Sequence, residues 1–113
     1  MNNTELEQTI HKSLDIQTDM GKEMVKVAIE CLQLFDKKQQ DYGSKNIAAF
    51  DERDMNMLGV AIRLNDKVQR MMNLLQNRIY SKGRPNNESI KDNARDIANY
   101  GLILSLLEQE LWK

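Results

Sequence analysis

Residues 87–107 read "NESIKDNARDIANYGLILSLL". Ile90, Ala94, Ile97, Gly101 and Leu104 recur at spacings of three and four, which predicts a helix with an apolar stripe. Glu88, Asp92, Asp96 and Asn99 fall on the other side, within about 80° of one another at about 100° per residue. Followed onward, that polar side becomes Leu102, Ile103 and Leu106. The second half of the helix is therefore apolar all round, which predicts burial. A face that was simply solvated would stay polar to its end. Acids on a face continued by core residues point instead to a polar site within a helical bundle.

The rest of the chain reads the same way. Thr4-Glu5-Leu6-Glu7 has the spacing of a capping box, and Leu6, Ile10 and Leu14 follow at helical intervals, predicting a helix from about Thr4 to Gln17. Gly21 marks a break near residues 18–21. A second helix is expected from about Lys22 to Gln40, with Val25, Ala28, Leu32 and Phe35 as its stripe and Ile29 and Cys31 beside it. Gly43 is placed to end it in a left-handed conformation. Residues 44–56 read as irregular with a short helical turn, and "DERDMN" at 51–56 as solvated. A third helix is expected from about Met57 to Tyr80. Ala61, Leu64, Val68, Met71, Met72, Leu75 and Ile79 share one face, opposite Arg63, Asp66, Arg70, Asn73 and Asn77. "SKGRPNN" at 81–87 holds the only proline and reads as a loop, with Asn87 as cap of the last helix from about Glu88 to Leu111.

This predicts an all-α chain, a small bundle of about four helices. Residues 1–21 form an N-terminal helical extension and 22–113 the main domain. With 113 residues the core is modest, so a homodimer is expected. The 16 basic and 17 acidic residues, without a cationic stripe interleaved with aromatics, argue against direct nucleic-acid binding. One cysteine, Cys31, allows no internal disulfide and fits a reducing compartment. No apolar run approaches the ~20 residues of a membrane span. The polar start "MNNTELEQTI" is not a signal peptide, so a cytoplasmic protein is expected.

Asp92 and Asp96, one turn apart, with Glu88 a turn earlier, can converge on Mg²⁺, and Asp66 can contribute from across a bundle. The ordinary alternative is a solvated acidic face beside Lys91 and Arg95. Arg63, Lys67 and Arg70 can hold phosphate oxygens. Their alternative is an exposed helix with an Asp66–Arg70 pair. Met55, Met57, Met71 and Met72 read as core filler. His11 reads as a surface residue. With one Cys and one His, neither a zinc site nor a Cys–His nucleophile pair is expected.

Three stretches, "CLQLFDKKQQDYGSKNIAAF", "GVAIRLNDKVQRMMNLL" and "NESIKDNARDIANYGLILSLL", together resemble the nucleotide modification associated domain of phages and bacteria. That pattern is a K-x-x-D-Y-G helix end, an R-L-x-D-K-x-x-R helix, then E-S-x-x-D-x-x-x-D-I-x-N-Y. It falls here on Lys38 and Asp41-Tyr42-Gly43, on Arg63, Asp66, Lys67 and Arg70, and on Glu88, Ser89, Asp92, Asp96, Asn99 and Tyr100. The likeness runs from about residue 22 to 110. The helical layout is also similar to MazG-like nucleoside triphosphate pyrophosphohydrolases, which bind Mg²⁺ through paired acidic motifs. Around Asp66 this chain departs from them, reading "RLNDKVQR" with basic residues where further acids would stand.

The resemblance implies nucleotide metabolism or modification. Asp92, Asp96 and Glu88 would hold Mg²⁺, with Asp66 and Asp96 in catalysis. Lys38, Asp41, Tyr42, Arg63, Lys67, Arg70, Asn99 and Tyr100 would hold the nucleotide. The alternative is a phage anti-defence protein without turnover, which sequesters a nucleotide signal or binds a host protein through the N-terminal helix.

Overall fold

The computed structural model describes residues 2–80 and 87–113, apart from the side chains of residues 87 and 88. Its elements are α1 (Asn3–Ser13), α2 (Asp19–Tyr42), a 3₁₀ turn (Ser44–Asn46), α3 (Arg53–Tyr80) and α4 (Asn87–Glu108). Among the described residues there is no strand. The chain forms two compact units, residues 1–37 and 38–113, so α2 begins in the first and ends in the second. No helix in the described residues is long and apolar enough to cross a membrane. The expected loop at 81–87 and the cap at Asn87 lie outside the described residues or side chains.

In the first unit, the cap of α1 is Asn2 and not Thr4. The Asn2 carboxamide oxygen accepts the Glu5 N–H at 2.8 Å, and Thr4 lies inside the helix. The helix also stops earlier than its pattern suggested. Asp15 takes a positive φ of 53°, its N–H donates to the Lys12 carbonyl, and the Ile16 N–H reaches the His11 carbonyl at 2.9 Å. These two bonds form a Schellman end on a non-glycine residue. Thr18 then starts α2, its hydroxyl accepting the Gly21 N–H at 2.9 Å. Gly21 therefore sits in the first turn of α2 rather than in the break. A methyl there would lie 2.8 Å from Ile16 Cγ2, so glycine lets the turn fold tightly over it. Val25, Ile29 and Cys31 are the buried residues of α2, while Ala28 and Leu32 of the expected stripe are exposed. Phe35 is half-buried.

The second unit is built on α3 packed antiparallel to α4. Gly43 ends α2 with φ 73° and ψ −179°, an extended positive-φ conformation essentially restricted to glycine. α3 starts four residues before the expected Met57: residues 51–55 of "DERDMN" are exposed as expected, but 53–56 are already helical. Asn56 is buried. Its carboxamide accepts the Phe50 N–H at 2.9 Å and donates to the Phe50 carbonyl at 3.0 Å, as a paired backbone would. At the far end, the Glu110 N–H donates to the Leu107 carbonyl and the Leu111 N–H to the Leu106 carbonyl, with Glu110 at φ 57°. The chain turns back there, and the Trp112 indole N–H donates to the Ser44 carbonyl at 3.1 Å. Arg53 closes the same end by donating to the Glu108 carbonyl at 3.4 Å, a cation at a helix C-terminus.

The contact faces are rotated from those the periodicity suggested. On α3 the inward positions are Asn56, Val60, Leu64, Lys67, Met71 and Leu74, while Ala61, Val68, Met72 and Ile79 are exposed. On α4 the buried residues are Asn93, Asn99, Ile103 and Leu107, while Ala94 and Gly101 are exposed. The polar side of α4 is thus the packed side. Ile90, Ile97 and Leu104 are half-buried. Replacing Asn56 by Ala removes both bonds to Phe50 and leaves that residue's amide groups to find water. Stability should fall by about 2 kcal/mol, read from the urea midpoint at unchanged denaturant slope.

Candidate functional site

The site lies in the second unit and begins with the last turns of α2. Because that helix continues to Tyr42, Lys38 is held on a regular helix near its end. Lys67 sits mid-way along α3, on the sector facing α4. Asp96 comes from α4. Lys38 Nζ lies 2.9 Å from Asp96 Oδ1, and Lys67 Nζ lies 2.8 Å from Asp96 Oδ2. One carboxylate therefore receives two ammonium groups, one on each oxygen. The Asp96 side chain is 16% exposed, against 29% for Lys67 and 47% for Lys38.

Burial alone pushes the Asp96 carboxyl up. Hydrogen bonds from Lys67 and Lys38, with the charge of both, more than reverse this and hold it below the ordinary value of 3.8. Each ammonium carries three donors and spends one on Asp96, so the pair keeps donors for a further anion. The cluster carries two positive charges and one negative.

Beneath it, Asn93 Nδ2 donates to the Lys67 carbonyl at 2.7 Å. The bond fixes the amide orientation, since the reverse would set two oxygens against each other. Asn93 Oδ1 is then a buried acceptor with no hydrogen-bond partner among the described residues. Nothing in the sequence reading singled out Asn93. The available signal was its place three residues before Asp96, on the flank that later carries Ile103 and Leu107.

The remaining predicted residues divide clearly. Arg63 and Arg70 lie one turn to either side of Lys67 on α3 and are exposed. The Asp66–Arg70 pair of the alternative reading does not form, and among the described residues Arg63, Asp66 and Arg70 make no ion pair. Asn99 is buried and Tyr100 half-buried on α4. Asp41 is exposed, as is Tyr42 at 64%. Asp92 points to solvent, its nearest partner being Arg95 at 3.8 Å. The Glu88 side chain lies outside those described.

Among the described residues, no three His, Cys, Asp or Glu side chains stand together as metal ligands. Asp96 is the predicted metal ligand placed in the cluster, and both its oxygens face ammonium groups. The residues as arranged do not fit Mg²⁺ unless those lysines give way.

A separate open cleft of about 660 Å³ lies in the first unit between α1 and the start of α2. His11 lines it, with Nε2 3.4 Å from the Lys22 carbonyl, so it has a partner the sequence did not suggest. Glu5, Lys12, Asp15 and Lys22 also border it. Its charged lining residues are of both signs.

Asp96 links the cluster to pH. Its lowered carboxyl stabilises the fold above the ordinary value, and that stabilisation is lost as pH falls from about 3.8 through the folded-state value. Asp96→Asn should cost about 1 kcal/mol at neutral pH, discounted because Lys38 is nearly half-exposed. Urea midpoints taken across a pH series should show the gap from the parent closing below pH 3.8. A gap independent of pH would mean that the carboxylate charge is not what holds the lysines.

No protein-family model, curated protein or solved structure matches the chain.

Proposed function

We propose that this chain binds a nucleotide through its phosphates, with Lys38 and Lys67 as direct cationic contacts and Arg63 and Arg70 as flanking ones. The observation that carries this reading is the convergence of two lysines from separate helices on one partly buried carboxylate. Asp96 acts as the resident anion that holds both ammonium groups in place before ligand arrives. Arg63 and Arg70 have no ion-pair partner among the described residues and stand on the same helix as Lys67. Their forked guanidinium groups suit phosphate oxygens. The motif order that resembles the nucleotide modification associated domain supports a nucleotide over a bare phosphate. Tyr42, exposed at the end of α2, is then the candidate for stacking on the base.

Binding without turnover is the better-supported form of the proposal. Mg²⁺-dependent pyrophosphohydrolysis needs several carboxylates on the metal. Here Asp96 is occupied by lysines and Asp92 points away. In the phage setting implied by the resemblance, such a binder would sequester a nucleotide signal.

The test is mass-spectrometric. The protein is incubated with NTPs, dNTPs and cyclic nucleotides, with and without Mg²⁺. Free products and the ligand released on denaturation are then identified. An unchanged nucleotide should be retained, and Lys38→Ala or Lys67→Ala should each weaken its binding by about tenfold. A monophosphate product that disappears in Asp96→Ala would favour the pyrophosphohydrolase. If no nucleotide is retained or converted, the proposal fails and a protein partner becomes the better reading.

A further inference from the structure

The last turn of α2, residues 39–42, is weak by the rules of helix ends. It contains no basic residue, and Asp41 puts a negative charge beside carbonyl groups that already form the negative end of the helix dipole. Asp41, Tyr42 and Gly43 are all exposed. A helix end of this kind frays unless groups outside the helix hold it. Yet Lys38 stands at the start of that turn, and its ammonium group has to meet Asp96 from a fixed place.

The segment after α4 supplies a hold. Glu110 takes a positive φ of 57° and turns the chain back. Trp112 then donates its indole N–H to the Ser44 carbonyl at 3.1 Å, and the Ser44 hydroxyl donates to the Lys113 carbonyl. The same hydroxyl accepts from Gln39 Nε2 at 3.1 Å. Gln39 is thereby tied twice, since its carbonyl also accepts the Gly43 N–H at 2.9 Å. The root of the segment is fixed in turn. Arg53 of α3 donates to the Glu108 carbonyl at 3.4 Å and lies 3.6 Å from the Glu110 carboxylate. Residues 109–113 therefore form a strap from the α3–α4 pair to Ser44. Ser44 passes the hold to Gln39, the neighbour of Lys38.

One such hydrogen bond is worth about 1 kcal/mol. Opening a terminal turn is governed by free energies that start near zero. Losing one link of the strap is thus enough to change how often the turn is wound.

We infer that Trp112 is a positioning residue for the anion site: through Ser44 and Gln39 it keeps the last turn of α2 wound, and so keeps Lys38 at Asp96. Its consequence for ligand affinity rests on the nucleotide reading, whereas the hold on Lys38 does not.

The experiment follows the Asp96 carboxyl carbon by NMR through a pH titration of the full chain. Lys38 and Lys67 are the two cations bonded to that carboxylate, so its midpoint reports whether Lys38 is in place. Trp112→Phe keeps an aromatic ring and removes the N–H. Gln39→Leu cuts the last link and leaves the strap untouched. Each should raise the midpoint part of the way that Lys38→Ala raises it, and neither should raise it further once Lys38 is Ala. Unchanged midpoints overturn the inference. So does a rise that persists without Lys38, because the strap then acts through another group. ATP binding gives the second readout. Trp112→Phe should weaken it about threefold in the parent and leave it unchanged in Lys38→Ala; an equal loss in both backgrounds overturns the inference. A parent that binds no ATP bears on the nucleotide reading alone, and the titration still decides the role of Trp112.

Discussion

Asp96 is the constraint on which the second unit depends. Among the described residues, its carboxylate is the one group that joins the end of α2, the middle of α3 and α4 by direct charged hydrogen bonds. Two ammonium groups drawn to one place repel unless a negative charge lies between them. Asp96 supplies that charge from a partly buried position, where its attraction is less screened than at the surface. The same arrangement fixes what the site can bind. With one acid already neutralised twice over, the remaining demand of the cluster is for a further anion. A cation would have to displace Lys38 or Lys67 first.

Around that centre, side-chain amides and a hydroxyl complete bonds where backbone leaves regular structure or helices meet. Asn56 serves both backbone groups of Phe50, and Asn93 reaches the Lys67 carbonyl across the helix pair. Ser44 joins three segments. Its hydroxyl donates to the Lys113 carbonyl and accepts from Gln39, and its carbonyl accepts from Trp112. Such polar ties make a pairing register-specific, because a one-residue slip leaves each amide facing the wrong group. Asn93 also anchors the α3 backbone at Lys67 itself, which limits where the Lys67 side chain can start.

Four helices were legible in the sequence because apolar residues recur at helical spacing in each. The choice of face was not, and α4 shows why. Ile90, Ala94, Ile97, Gly101 and Leu104 make the cleaner apolar stripe, yet the packed side is Asn93, Asn99, Ile103 and Leu107. A helix with two apolar sectors gives periodicity no way to choose between them, and here the buried Asn93, bonded to the Lys67 carbonyl, marks the packed side. The caps show a related limit. Asn2 and Thr4 both fit the start of α1, and Asp15 and Glu110 adopt positive φ where glycine was the expected signal. Within the site, Lys67 and Asp96 were singled out from the residues and Lys38 through the resemblance, but their ion pairing was not foreseen. Spacing placed Asp96 with Asp92, while only the three-dimensional packing pairs it with lysines far away in the chain.

The order of charge around α3 bears on what the cluster can hold. At about 100° per residue Arg63 and Arg70 stand about 40° and 60° from Lys67, and Asp66 about 100° from it on the same flank. An anion held by Lys67 therefore meets Arg63 and Arg70 before it meets Asp66. Arg63 and Arg70 have no ion-pair partner among the described residues, so on this helix the cationic contacts stand nearer to the bound charge than the one acid that would repel it.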